Sequence, residues 1–289
     1  MLELRQVTKQ FGKSVCAVND VSMTLTRGVL GLIGHNGAGK TTLMQMIATL
    51  ARPTSGQILF EGQDIAKHPQ HIRSRLGYLP QDFGVYPNLS ALEFMRYFAA
   101  LKGCHDDGRI RHLLELVNLH QQANRQAASF SGGMLRRLGI AQALINDPDI
   151  LIVDEPTAGL DPEERLRFRN LLGELGDRKL VIMSTHIVSD VESIATQLAI
   201  LRSGKLVAFD TPESMMDDAS GQIWCADVDL PTYEALRTTV QVLHAQRHGT
   251  MMKLRIAHPT QPSPYATPAQ ATLEEALMAQ RYAKQEIAA

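Results

Sequence analysis

Gly34-His35-Asn36-Gly37-Ala38-Gly39-Lys40-Thr41-Thr42 combines residue types and spacing suited to phosphate chemistry. Gly34, Gly39, Lys40 and Thr41 satisfy G-x-x-x-x-G-K-[ST], after the apolar run 29–33 and before Leu43, Met46, Ile47 and Leu50 at helical spacing. The order is strand, glycine loop, helix. Glycines, with Asn36, Gly37 and Ala38 between the fixed positions, let successive backbone N–H groups curl around a phosphate chain, and the helix adds its positive end. Lys40 would reach the β- and γ-phosphates, Thr41 would offer its hydroxyl to a magnesium ion, and Thr42 would sit near the α-phosphate. The chemistry expected here is nucleotide binding.

Further residues extend that chemistry. Ser129-Phe130-Ser131-Gly132-Gly133-Met134 opens a helix predicted over 135–146, again presenting small residues and a helix N-terminus to an anion. Arg136 and Arg137 are expected on a solvated or intersubunit face. Four apolar residues, 150–153, precede Asp154 and Glu155, the pattern of a buried parallel strand delivering acids at its carboxyl end. One acid can hold magnesium while the next polarises an attacking water. Gln81 ends a short strand over 77–81, and His186 follows a strand over 180–184, beside the acid-bearing one. Phe11, ahead of the glycine loop, could stack on a nucleobase. His35, His68 and His71 have no such placement and are expected on the surface.

The elements that must position these residues are legible in outline. Alternation at Leu2, Leu4, Val7 and again at Val21, Met23, Leu25 predicts half-buried strands in an antiparallel β layer, which 57–62 continues. Apolar residues at helical spacing over 90–102, with Ser90 as N-cap and Glu93 three residues on, begin an inserted helical subdomain over about 88–146. Strands over 197–201 and 205–209 finish a first domain, placed at 1–218. The fold class expected is α/β: a P-loop NTPase cassette with an antiparallel β layer, the helical insertion and a small C-terminal α+β extension. That extension, 219–289, holds strands near 223–228 and 251–256, a helix over 232–239, a Pro-rich linker (Pro259, Pro262, Pro264, Pro268) and a short helix over 273–278.

Composition bounds the partners. Among 289 residues, 29 basic against 30 acidic side chains leave no global field favouring nucleic acid or an anionic membrane surface. Cys16, Cys104 and Cys225 are odd in number and lack ligand spacing, as in reduced thiols of a cytosolic protein, so no disulfide or zinc site is expected. No signal region is seen at 1–5, and no run approaches the roughly 18 apolar residues needed to cross a bilayer, so any membrane span would belong to another chain.

With the glycine loop, the SGGM segment and the acid strand in order, the chain resembles an ATP-binding cassette (ABC) ATPase over about residues 1–215. The resemblance implies that Phe11 stacks on adenine, 34–42 is the Walker A loop, Gln81 the Q-loop glutamine that also approaches the metal, and Ser131-Gly132-Gly133 the signature loop. Asp154 then resembles the Walker B magnesium residue, Glu155 the catalytic base, 158–161 the D-loop and His186 the switch histidine. It implies ATP and Mg2+, a head-to-tail dimer (a homodimer, or a heterodimer with a second cassette) closing around two ATP, and separately encoded membrane permease subunits on whose cytoplasmic face the protein sits as a peripheral component. No nucleic acid partner is expected. Phe130 and Met134 replace the Leu and Gln of the commonest signature, LSGGQ. Met134 and the tail 271–277 resemble the drug, polysaccharide and cytochrome-assembly exporter branch. The alternative is a soluble ABC ATPase acting on ribosomes or DNA, relatives of which carry tandem cassettes or an inserted coiled coil.

Met134 cannot supply a glutamine's hydrogen bonds, so the backbone donors of Gly132 and Gly133 must do the phosphate work. Met134→Gln should therefore leave steady-state ATP turnover within about five-fold of the parent; a hundredfold loss, roughly 2.7 kcal/mol of barrier, would refute this.

Overall fold

The computed structural model describes residues 1–12 and 14–286, the side chains of 280–286 excepted. The chain opens with β1 (Leu2–Phe11), β2 (Val15–Leu25) and β3 (Gly28–Ile33), then α1 (Lys40–Ile47), β4 (Ser55–Phe60), β5 (Gln63–Asp64), α2 (Pro69–Arg73) and β6 (Leu76–Leu79). Helices α3 (Ala91–Leu101), α4 (Asp107–Leu116) and α5 (Gly132–Ala143) follow. Next come β7 (Ile150–Asp154), α6 (Pro162–Gly176), β8 (Leu180–Thr185), β9 (Gln197–Arg202) and β10 (Lys205–Asp210). The remainder is α7 (Pro212–Asp218), β11 (Ile223–Asp229), α8 (Leu230–Leu236), β12 (Gln241–His248), β13 (Met251–Ala257), β14 (Ala266–Pro268) and α9 (Leu273–Glu286). These elements form two compact units, Met1–Phe209 and Asp210–Ala289.

In the first unit β2-β1-β4-β5 make the antiparallel layer, and β10-β9-β3-β8-β7-β6 make a second sheet in which β9, β3, β8, β7 and β6 pair in parallel. Every residue of β3, β7 and β8 is buried, as expected of strands covered on both faces. Leu30, Leu32, Ile150, Ile152 and Ile182 join one core cluster with Leu2, Leu4, Val21 and Leu25 of the antiparallel layer and Leu43, Met44 and Ile47 of α1. Each fully buried Leu or Ile there is worth roughly 1.5–3 kcal/mol relative to exposure. Helix α6 packs on β3 and β8, burying Phe168 and Leu172.

The register matters most for function. Ile33 lies opposite Thr185, Asp154 opposite Ser184, and Leu79 opposite Val153, so the segments after β3, β6, β7 and β8 leave the sheet at one edge. The helical section is capped as the sequence predicts: Ser90 accepts the Glu93 N–H at 3.3 Å while Glu93 accepts the Ser90 N–H at 2.8 Å. Ser131 and Asp161 cap α5 and α6 by accepting the N–H groups of Met134 and Glu164.

In the second unit β12-β13-β11-β14 form a sheet whose core holds Ala226, Val228, Leu254, Ile256 and Ala266. Helix α7, within the range assigned to the first domain, packs instead on α9 in this unit. The stretch read as a linker contains β14, which pairs Cys225 with Thr267 and Ala226 with Ala266. Proline is tolerated there because β14 is an edge strand. The tail residue Glu275 accepts the Thr272 N–H at 2.9 Å and pairs with Arg255 at 2.5 Å. Burial raises the Glu275 carboxyl, but the hydrogen bonds from Arg255 and Thr272 outweigh it and hold the group below its ordinary value.

All members of the first unit's large core cluster precede Asp210. A chain ending at Asp210 should accordingly remain soluble and bind ATP in calorimetry with an affinity within about three-fold of the full chain. An insoluble product, or one without ATP binding, would show that the first unit depends on the second.

Candidate active site

The glycine loop joins β3 to α1 through backbone that side chains would obstruct. Gly39 stands at φ +103°, and a Cβ there would fall 2.2 Å from the Ala17 carbonyl oxygen; one at Gly34 would fall 2.6 Å from that of Leu201. Gly37 also has positive φ but open space around it. Helix α1 therefore starts from a left-handed residue, with no side-chain cap and no acid in its first turn. Its leading N–H groups remain available to an anion. Lys40 is buried, and its Nζ donates to the carbonyls of Gly34 at 2.7 Å and His35 at 3.3 Å.

Lys40 Nζ also lies 3.7 Å from the Glu155 carboxylate, which His186 Nδ1 approaches to 3.1 Å. The cation, the carboxylate and the imidazole thus form one connected group at the sheet edge. Asp154 is 1% exposed; Ser184 Oγ donates to its Oδ1 at 2.5 Å and accepts the Glu155 N–H at 2.9 Å. No hydrogen bond reaches Asp154 Oδ2 among the described residues, which suits an oxygen ligand for a hard cation. No preformed cluster of three or more His, Cys, Asp or Glu exists among them, so any magnesium would rest on Asp154, hydroxyl oxygen and phosphate oxygens. Burial, then the Asp154 charge, push the Tyr78 phenol up to about 12, so the hydroxyl beside the site stays protonated.

The other expected residues stand apart from this group. Phe11 is 48% exposed at the end of β1, its ring 5.1 Å from Lys9 Nζ. Gln81 is exposed just beyond β6. Ser131, Gly132 and Gly133 lie at the start of α5, and no hydrogen bond or ion pair joins them to Lys40 or Glu155 among the described residues. Arg136 and Arg137 do not form a solvated face: Arg136 donates to the Pro80 carbonyl at 3.2 Å, and Arg137 reaches the Val117 carbonyl and Glu164. Burial pulls the Arg136 guanidinium below its ordinary value, against Asp82 and Asp154.

The sequence pattern of the family described as "ABC transporter" matches residues 18–158. The Nod factor export ATP-binding protein I of Cupriavidus pinatubonensis is 38% identical over 80% of this chain and 71% of its own length. ABC transporter ATP-binding protein NatA of Bacillus subtilis is 36% identical, over 75% of this chain and 92% of its own. A dimeric ATP-binding cassette solved in a post-hydrolysis state with ADP and phosphate superposes with a TM-score of 0.66 at 27% identity, over 73% of this chain and 98% of that one.

The chain belongs to the ABC transporter family. It is an ATP-binding, ATP-hydrolysing subunit that serves transport. No helix among its described residues is long and apolar enough to cross a membrane. Members of the family form dimeric cassettes.

Within this cassette, sequence reading missed Ser184, whose hydroxyl bridges the two acids; the signal lay in the register that sets Asp154 opposite Ser184, which no local pattern reveals. It also missed a fully buried carboxylate, Asp190. Ser184→Ala would leave the Asp154 carboxylate and the Glu155 N–H each without this partner, at a cost of about 1–3 kcal/mol for an unsatisfied buried group. Turnover should fall at least ten-fold and the melting temperature should drop; parent-like turnover would show that the bridge is dispensable.

Proposed function

We propose that this cassette hydrolyses magnesium-bound ATP to drive export, working head to tail with a second cassette, the same chain or a homologous one, on the cytoplasmic face of a membrane permease. The observation that carries the reading is the Lys40–Glu155–His186 group at the sheet edge. Export is supported by the similarity to the Nod factor export protein and by the Met134 and tail features of the sequence. The second unit is assigned as an accessory domain, since every motif with phosphate chemistry precedes it.

The roles follow from the placements. Lys40, seated on two loop carbonyls, is the cation for the β- and γ-phosphates, and the N–H groups of Gly37 to Thr42 cradle the chain. Thr41 and Asp154, with Gln81, would hold magnesium; when bound, the ion neutralises phosphate charge. Glu155 orients and polarises the attacking water as general base, and His186 holds the carboxylate in place. Phe11, exposed and flanked by a cation, offers adenine a stacking face. Ser131, Gly132 and Gly133, remote from their own chain's Lys40 in polar contacts, complete the site of the opposing cassette.

Glu155→Gln keeps shape and hydrogen-bonding reach but removes the charge. Hydrolysis should fall roughly 10²–10⁴-fold, the usual worth of a general base, while ATP binding persists. Size-exclusion chromatography with light scattering should then show an ATP-dependent dimer, stronger in the variant than in the parent and absent with ADP. Hydrolysis at the parent's rate would remove Glu155 from the role. Lost hydrolysis with no dimer would instead point to the permease or another cassette as the missing half.

A further inference from the structure

Asp190 sits in the turn after His186 and is 0% exposed. Three side chains converge on it. Thr157 Oγ1 donates to Oδ2 at 2.6 Å, Arg165 Nε donates to Oδ1 in a shorter contact, and Thr185 Oγ1 lies 3.4 Å from Oδ2 while accepting the Ile187 N–H at 3.0 Å. Thr157 is two residues past Glu155, Thr185 immediately precedes His186, and Arg165 lies in α6, which begins directly after the 158–161 loop. A single buried carboxylate therefore ties the segment carrying the acid to the one carrying the imidazole.

The tie is needed where it is found. Glu155 stands at φ +44°, a conformation L residues rarely adopt and one that persists only when its surroundings over-determine it. The Glu155 carbonyl accepts the Ala158 N–H at 3.3 Å, and the Thr157 carbonyl accepts the Leu160 N–H at 3.2 Å, so fixing Thr157 fixes the turn that holds Glu155. Ser184 secures the Glu155 N–H at the entry to the turn, two residues before Thr157. Asp190 holds Thr157 itself, and its contact near Thr185 sets the start of the His186 segment.

We propose that Asp190 is a positioning residue of the ATPase, holding Glu155 and His186 in contact through Thr157 and Thr185 and linking that contact to α6 through Arg165. The inference rests on the proposed roles of Glu155 and His186. It does not act on nucleotide binding, because Lys40 is seated by Gly34 and His35 independently of Asp190.

The experiment uses the full chain. Steady-state hydrolysis of magnesium ATP gives kcat and KM for the parent, Glu155→Gln, Asp190→Asn, Thr157→Val, His186→Ala and the Thr157→Val/His186→Ala pair, with ADP affinity from calorimetry. Thr157→Val removes one donor and leaves the Asp190–Arg165 pair intact, so it decides the matter should Asp190→Asn fail to fold. Thr157→Val should lower kcat about ten-fold with KM and ADP affinity within two-fold, and its effect should shrink below two-fold when His186 is already Ala. A residue that only stabilises the fold would lower the melting temperature but leave kcat unchanged. Parent-like kcat in Thr157→Val, or a ten-fold loss that persists undiminished in the pair, overturns the proposal. Parent-like hydrolysis by Glu155→Gln would instead overturn the reading of the base on which it stands.

Discussion

The alignment of three parallel strands is the constraint on which the site depends. With Ile33 beside Thr185 and Asp154 beside Ser184, the glycine loop, the two acids and the histidine all leave the sheet at its carboxyl edge. These strands are buried throughout, so a slip by one residue would exchange the sets of side chains packed on the two faces. Hydrophobic packing thereby sets positions for polar groups that contribute little to the core. Ser184 converts register into chemistry, since one hydroxyl donates to Asp154 and accepts from the Glu155 backbone.

Electrostatics at the edge favour readiness over stability. At 3.7 Å, Lys40 and Glu155 attract by about 4 kcal/mol if the effective dielectric is about 20, a gain comparable to the several kcal/mol of desolvation each buried ion incurs. The pair therefore adds little net stability. What it does is hold a cation and a carboxylate in place between loops, with the imidazole of His186 on the same carboxylate. A polyanion entering the loop meets a positive helix end and a cation already aimed.

The second helix N-terminus, that of α5, is built differently. Its carboxyl end is held by cations: Arg109 donates to the Leu144 and Ile145 carbonyls and Lys102 to that of Gln142, the complement that a helix C-terminus favours. Near its start, the Glu164 carboxylate lies close over Gly133, so that a Cβ there would fall 1.8 Å from it and displace that side chain. Arg136 joins the same helix to the Pro80 carbonyl beside Gln81. The helix is thus braced at both ends, with Ser131 and Gly132 exposed and without polar contacts to the Lys40 group.

Short-range pattern made much of this protein legible. The glycine loop, the acid strand, the Ser90–Glu93 cap and the alternating strands of the antiparallel layer are each encoded within a dozen or so residues, because phosphate cradles, caps and strand faces are local requirements. Where the chain relies on distant partners, sequence reading fell short. Prolines suggested a linker where β14 is an edge strand, and of the solvated or intersubunit face expected for Arg136 and Arg137 the solvated half fails, because both reach backbone carbonyls. The Ser184 bridge and the Asp190 hub have no local signature at all: each joins positions about thirty residues apart, and only the parallel crossover that lays β8 beside β7 brings them within reach of a hydrogen bond.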